Sequence, residues 1–302
     1  MSEALKYVFL DTDIGPDCDD TAALAILLDQ CKRLGVKLLG ITHCTGSLYG
    51  LATIDIICRC FGVSVPLGTC NVRGFLSHGH ALKYTKPIAE RFDHAYPPKL
   101  PQPDAADALV RALGGAPDGS VTFIAIGPMN NLARFLREPE TAALMRAKVS
   151  RIVCMAGCFE SDALFSEFNV EMDIPAARYV VENWKDPLDF CPFEPFENVL
   201  TGTCLSQYPN NPVSIAYRLH TDGGMLRPSW DLGTVAATLL GASTPYEWSA
   251  RGKIDIDEVG ITRFTPHPDG LHRYLRLTGS VQAAAEMIES LLSSAVGQMR
   301  AQ

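Results

Sequence analysis

The chain has no apolar run long enough to cross a membrane, no cluster of lysine and arginine, and no CxxC pair among its ten cysteines. The first absence argues against a helical membrane protein. The second, with a formal net charge of −8, argues against a nucleic-acid or anionic-membrane partner. The third leaves the cysteines reading as reduced, buried, small apolar residues of a cytoplasmic protein. Cys18 and Cys44 stand apart only because they fall in loops of interest. Residues 1–6 are short and polar and run straight into an apolar strand, so no signal peptide is expected. No linker, repeat or low-complexity segment divides the chain. One domain over residues 1–302 is therefore expected.

What is present is ample material for a core. The 302 residues are 47% hydrophobic and 20% charged, the balance of an ordinary α/β enzyme domain. Short apolar runs at 7–10, 36–42, 63–66, 120–126, 151–155 and 187–191 read as strands. Helical spacing appears at 21–34, 50–61, 104–113, 130–137, 174–184, 231–240 and 281–299. Gly35 is placed to cap the first helix. Such alternation predicts an α/β fold, an open, mostly parallel sheet flanked by helices. Residues 74–103 carry three histidines and several prolines without a period, and read as a long loop or lid.

The densest chemistry follows the first strand. Residues 8–20 read VFLDTDIGPDCDD, with five aspartates in ten positions. Lys6 is the only nearby cation, so these carboxylates repel one another unless something positive sits among them. One or two aspartates at a strand-to-helix turn are ordinary caps. Five exceed that need, and all-oxygen donors suit a hard cation such as Ca²⁺ or Mg²⁺. An EF-hand is disfavoured, because its glycine and glutamate positions hold Pro16 and Ala22. In open α/β sheets ligands bind beyond the carboxyl ends of strands. Residues 11–20, 43–46, 127–131 and 156 onward fall there.

Two resemblances follow from these residues. A strand ending in Asp-x-Asp is similar to haloacid-dehalogenase-like phosphatases, which would make Asp11 a nucleophile and Asp13 its acid/base. That family's loop does not need the three further aspartates. The cluster more closely resembles the signature of the inosine–uridine-preferring nucleoside hydrolases: a strand, Asp-x-Asp-x-Gly, then two aspartates opening a helix. Here these are Asp11, Asp13, Gly15, Asp19 and Asp20, with Pro16-Asp17-Cys18 lengthening the loop. Residues 126–131, IGPMNN, resemble the family's Gly-Pro-Leu-Thr-Asn turn. Glu167-Phe168-Asn169 after Met155-Ala156-Gly157, and the helix start at 173–177, resemble two further segments. Ser229-Trp230-Asp231 resembles the place of the last calcium-binding aspartate.

The resemblance implies a nucleoside hydrolase fold with a Rossmann-like core, and calcium-dependent hydrolysis of ribonucleosides to ribose and free base. It implies that Asp13, Asp20, Asp231 and the Asn130 carbonyl hold Ca²⁺, with Asp13 the general base for a calcium-bound water. Asp19, Asn169 and Asp231 would hold the ribose hydroxyls and Glu167 the 5′ side. Phe168 and Trp230 would line the base pocket, and Asp11 would stand behind, orienting Asp13. It implies a small-molecule riboside partner and a homodimer or homotetramer. The chain departs from the family at three places. Ser47 and Ser161 stand where asparagine is usual. Trp230 replaces a histidine that assists departure of the base in many members. A tryptophan cannot donate that proton, but it can stack on a nucleobase. His78, His80, His220, Asp222, Arg73 and Tyr84 are candidates for the leaving-group side, and Glu194 for the 5′ side. A catalytically weakened calcium-dependent riboside-binding protein remains an alternative.

Overall fold

The computed structural model of the protein describes residues 5–161, 165–241 and 244–300. The polar run at residues 1–4 lies outside them. Strand β1, Tyr7–Thr12, is buried from Val8 onward, because strands flank it on both edges and helices cover both faces. Helix α1 (Asp19–Leu34) follows and stops where Gly35 takes the left-handed conformation at φ 67°. Strand β2 is Lys37–His43, α2 is Gly50–Cys60 and β3 is Leu67–Thr69. The run at 63–66 thus falls just short of the third strand. Pro66 has no amide hydrogen for a ladder, and only its carbonyl joins, accepting from Ile41 N at 3.0 Å.

The stretch at 74–103 is not loop throughout. It holds a 3₁₀ turn at Gly79–Leu82 and helix α3, Thr85–Arg91. Only Thr85, Ile88 and Ala89 of α3 are buried, too few to show a period in sequence. Then come α4 (Ala105–Leu113), β4 (Val121–Ala125), α5 (Asn130–Arg137), α6 (Pro139–Lys148) and β5 (Val149–Met155). A short α7 (Phe168–Glu171) precedes α8 (Ile174–Asn183) and β6 (Leu188–Cys191). A two-residue strand β7 (Leu200–Thr201), helix α9 (Pro212–His220) and strand β8 (Arg227–Pro228) lead to α10 (Trp230–Leu240). The chain closes with β9 (Tyr246–Trp248), β10 (Gly252–Ile256), β11 (Thr262–Pro266), β12 (His272–Leu277) and α11 (Val281–Gln298).

The large sheet runs β11-β10-β12-β6-β5-β4-β1-β2-β3, with β9 pairing β12. From β3 to β12 every pairing along that path is parallel. Strands β9, β10 and β11 are antiparallel additions, and no strand was expected from sequence beyond residue 191. One apolar cluster includes residues of α1, α2, α9, α10 and α11, and a second includes residues of α4, α5, α6 and α8. Strand order reverses between β1 and β4, which makes their carboxyl ends a topological switch point.

At the other side of the sheet, Asp189 of β6 is fully buried. It accepts from Arg151 of β5 at 2.5 Å and from Arg273 of β12 at 2.9 and 2.7 Å. Both guanidinium groups lie over the Trp248 ring, at 4.8 and 5.1 Å.

Candidate active site

The end of β1 delivers the aspartates. Asp13 follows the strand directly and passes beside Gly127, where a Cβ would sit 2.8 Å from Asp13 Cβ and 2.7 Å from Cys44 Sγ. Only glycine permits that approach. Asp19 and Asp20 open α1, and Asp231 lies in the first turn of α10. Two helix N-termini therefore point positive dipole ends at the same carboxylates. Asp19 Oδ accepts from the Asp231 amide at 3.1 Å, tying the two helix starts together. Thr12 Oγ1 donates to Asp20 at 2.5 Å.

Carboxylate oxygens of Asp19, Asp20 and Asp231 lie within 4.8 Å of one another, and all three residues are buried. Asp13 is buried beside them. Burial pushes all four carboxyls well above the usual range, and their mutual repulsion adds to it. These residues can hold a metal ion. The donors are oxygen only, and the one guanidinium among the described residues lining the cavity, Arg227, is hydrogen-bonded to Asp17.

Behind them, Asp11 is fully buried and accepts from Thr42 Oγ1 at 2.6 Å and Asn131 Nδ2 at 2.8 Å. Its second oxygen is buried and meets no oxygen or nitrogen donor among the described residues. Burial pushes Asp11 up to about 7, against the pull of those two hydrogen bonds. Asn130 begins α5. Its side-chain amide donates to the Cys44 carbonyl at 2.9 Å, and its own side-chain oxygen is buried with no partner among the described residues.

A cavity of about 410 Å³ opens in front of the aspartates. Asp13, Asp19, Asp20 and Asp231 form its acidic wall. Glu167 and Asn169 form a second wall, held from β5 and α7. Glu167 accepts from the Asn169 amide at 3.0 Å and the Gly157 amide at 3.1 Å, and burial lifts it to about 7. Asn169 Nδ2 donates to the Met155 carbonyl at 3.0 Å. The third wall is aromatic: Phe165, Phe168, Phe193 and Trp230. Phe193 and Trp230 stack at 5.3 Å, and Phe165 meets Phe193 edge-on at 5.1 Å. Phe168 is 43% exposed.

Asp13, Asp19, Asp20, Glu167, Phe168, Asn169, Trp230 and Asp231 are thus gathered around one cavity, and Asp11 and Asn130 do not line it. Nor do the six residues considered for the leaving-group side. Tyr84 is buried and donates to the Asp17 carbonyl at 2.5 Å. His220 Nε2 lies 3.5 Å from Asp17, and burial lowers its pKa. Asp222 pairs with Lys83 at 2.9 Å. Arg73 and His78 line a separate hollow with Tyr49. Glu194 holds a loop, accepting from the amides of Phe159, Glu160 and Ser161. Ser47 is buried beside Thr45, whose hydroxyl accepts from the Ser47 amide. Sequence reasoning missed Phe165, Phe193 and Arg227. Arg227 carries a faint signal, three residues ahead of Trp230, but its partner Asp17 is 210 residues away. All ten cysteines are buried and free.

Fold and site together define an α/β protein with an acidic, metal-competent cavity at the switch point of a parallel sheet. Residues 8–250 match the sequence profile of the inosine-uridine preferring nucleoside hydrolases. An uncharacterized protein of Schizosaccharomyces pombe is 29% identical over 196 residues, which is 58% of this chain and 57% of that protein. The match thus spans little more than half of that relative. An inosine-uridine preferring nucleoside hydrolase from Bacillus anthracis superposes with a TM-score of 0.72 at 20% identity, covering 96% of this chain and all of that one. A purine-preferring ribonucleoside hydrolase from Gardnerella vaginalis gives 0.70 at 16% identity, covering 97% and 99%. The chain belongs to the inosine-uridine preferring nucleoside hydrolase family.

Proposed function

We propose that the protein hydrolyses the N-glycosidic bond of ribonucleosides in a Ca²⁺-dependent reaction, giving ribose and free base. The observation that carries this is the convergence of four buried carboxylates, with Arg227 the one cationic side chain among the described residues lining their cavity, beside Glu167 and Asn169. Family membership favours this reading over a phosphatase with Asp11 as nucleophile. Asp13, Asp20, Asp231 and the carbonyl of Asn130 are the proposed ligands. Bound Ca²⁺ would neutralise the repulsion among the aspartates and acidify water at that wall.

The chain's own residues then have defined tasks. Asp19, Asn169 and Asp231 hold the ribose 2′- and 3′-hydroxyls, and Glu167 faces the 5′ side. Asp13 takes the proton of the attacking water. Cleavage develops oxocarbenium-like positive charge on the sugar, and the surrounding carboxylates stabilise it. Fixing both vicinal hydroxyls supplies orientation. A 2′-deoxy substrate would leave buried polar groups unpaired, so it should react far more slowly. Phe168 and Trp230 offer faces on which a base can stack.

A panel of ribosides, screened by reducing-sugar release with and without EDTA, tests the proposal. Release that EDTA abolishes and Ca²⁺ restores is expected. Tight riboside binding without turnover would show a binding protein instead. A single domain over residues 1–302, homodimer or homotetramer assembly, cytoplasmic location and a role in nucleoside salvage belong to the same proposal. Light scattering checks the assembly.

A further inference from the structure

We propose that Arg227, anchored by Asp17 at the edge of Trp230, stabilises the departing nucleobase. This rests on the hydrolase reading above and adds the residue that reading leaves open. Arg227 is the only cationic side chain among the described residues lining the cavity, and no histidine lines it.

The arginine is built into place rather than left loose. Strand β8 pairs with β7, Thr201 opposite Arg227, and so carries it to the cavity rim. Arg227 Nε donates to both Asp17 oxygens, at 2.9 and 3.0 Å, and Nη2 also donates to Asp17. Asp17 is itself steadied through its carbonyl by the Tyr84 hydroxyl. The guanidinium carbon lies 5.3 Å from the Trp230 ring centroid. Trp230 in turn stacks on Phe193 and donates its Nε1–H to the Phe193 carbonyl at 3.2 Å. Arg227 Nη1 makes no hydrogen bond with the described residues. The result is a fixed aromatic face with an unspent N–H donor at its edge.

That arrangement suits a leaving base. An arginine stays charged and cannot serve as a proton donor. Its contribution is a preorganised positive edge where negative charge develops. The C1′–N bond breaks with its electron pair passing to the base nitrogen. Water supplies the new C1′–O bond and gives its proton to Asp13. The base leaves as an anion stacked on Trp230, its charge met by Arg227, and takes a proton from solvent on release. Asp17 is a positioning residue: by accepting from Nε and Nη2 it fixes the plane of the guanidinium.

The test compares two substrates that differ in how much help departure needs. Inosine has a poor leaving group, whereas p-nitrophenyl β-D-ribofuranoside releases a stable phenolate unaided. Arg227→Gln is expected to lower kcat/KM for inosine about 10²-fold and for the nitrophenyl riboside only a few-fold. Arg227→Lys, which keeps the charge but not the fork, is expected to recover part of the inosine rate. Asp17→Asn is expected to shift the same ratio in the same direction by less. Equal losses on both substrates, or an unchanged ratio, would overturn the proposal and leave the hydrolase reading standing. A wild-type enzyme that cleaves neither substrate would overturn both.

Discussion

Asp13 is crowded by charge of its own sign. Its carboxyl is raised first by burial and then by Asp19. Removing it should relieve the cluster even as it removes the proposed base. Asp13→Ala is expected to lower kcat by more than about 10³-fold. Its melting temperature in EDTA is expected not to fall. Calorimetry beside a rate assay checks both. A variant that kept its rate would displace Asp13 from the chemistry. At this scale the sequence was readable where the chemistry is contiguous. Asp11, Asp13, Asp19 and Asp20 sit within ten residues, so their density alone announced a charged site. Asp17 was the one without a role, and the reason is distance. Its partner Arg227 reaches it only because a two-residue ribbon forms between β7 and β8, and so short a pairing leaves no periodic trace in sequence.

Elements obey the same logic. The strands β1, β2, β4, β5 and β6 are buried on both faces and read as apolar runs, which is why they were legible. Strand β10 alternates buried and exposed positions, and β11 is mostly exposed. Polar residues dilute their pattern, and both sit at the antiparallel edge of the sheet. The close approach of the turn at 127–131 to Asp13 and Cys44 rests on one small residue. Gly127→Ala would place a methyl group against both Asp13 and Cys44. Backbone must move, and a displacement of ~1 Å at a reacting group can cost about 10²-fold in rate. The expected outcome is an enzyme that folds, with circular dichroism unchanged, and turns over riboside at about 1% of the wild-type rate.

For the molecule as a whole, the acidic cavity links stability to pH and to metal. Glu167 is lifted from 4.5 to about 7 and Asp11 from 3.8 to about 7, both by burial. Raised acids hold protons in the folded state that the unfolded chain has lost. Their contribution is full below about pH 4 and disappears as pH climbs through 7. In EDTA, the urea midpoint is therefore expected to fall between pH 5 and pH 8. The four site aspartates push the same way. Calcium, as proposed, would bind the ionised carboxylates, so its addition should raise stability most at pH 8. At a hundredfold excess over Kd the gain is about 2.7 kcal/mol. A midpoint that rose with pH in EDTA would contradict this account.

The buried Asp189 also fixes what counts as a minimal version of this protein. The family profile ends at residue 250, and a designer trimming the chain would cut there. Such a cut removes β12 and with it Arg273, one of two guanidinium groups facing a carboxylate that has no access to water. It also strips β6 of a neighbour and turns a fully buried strand into an open, sticky edge. Residues 251–300 act as the latch of the sheet rather than as a tail. A fragment ending at 250 is expected to accumulate as aggregate, and sedimentation of the expressed fragment against the full chain decides the matter.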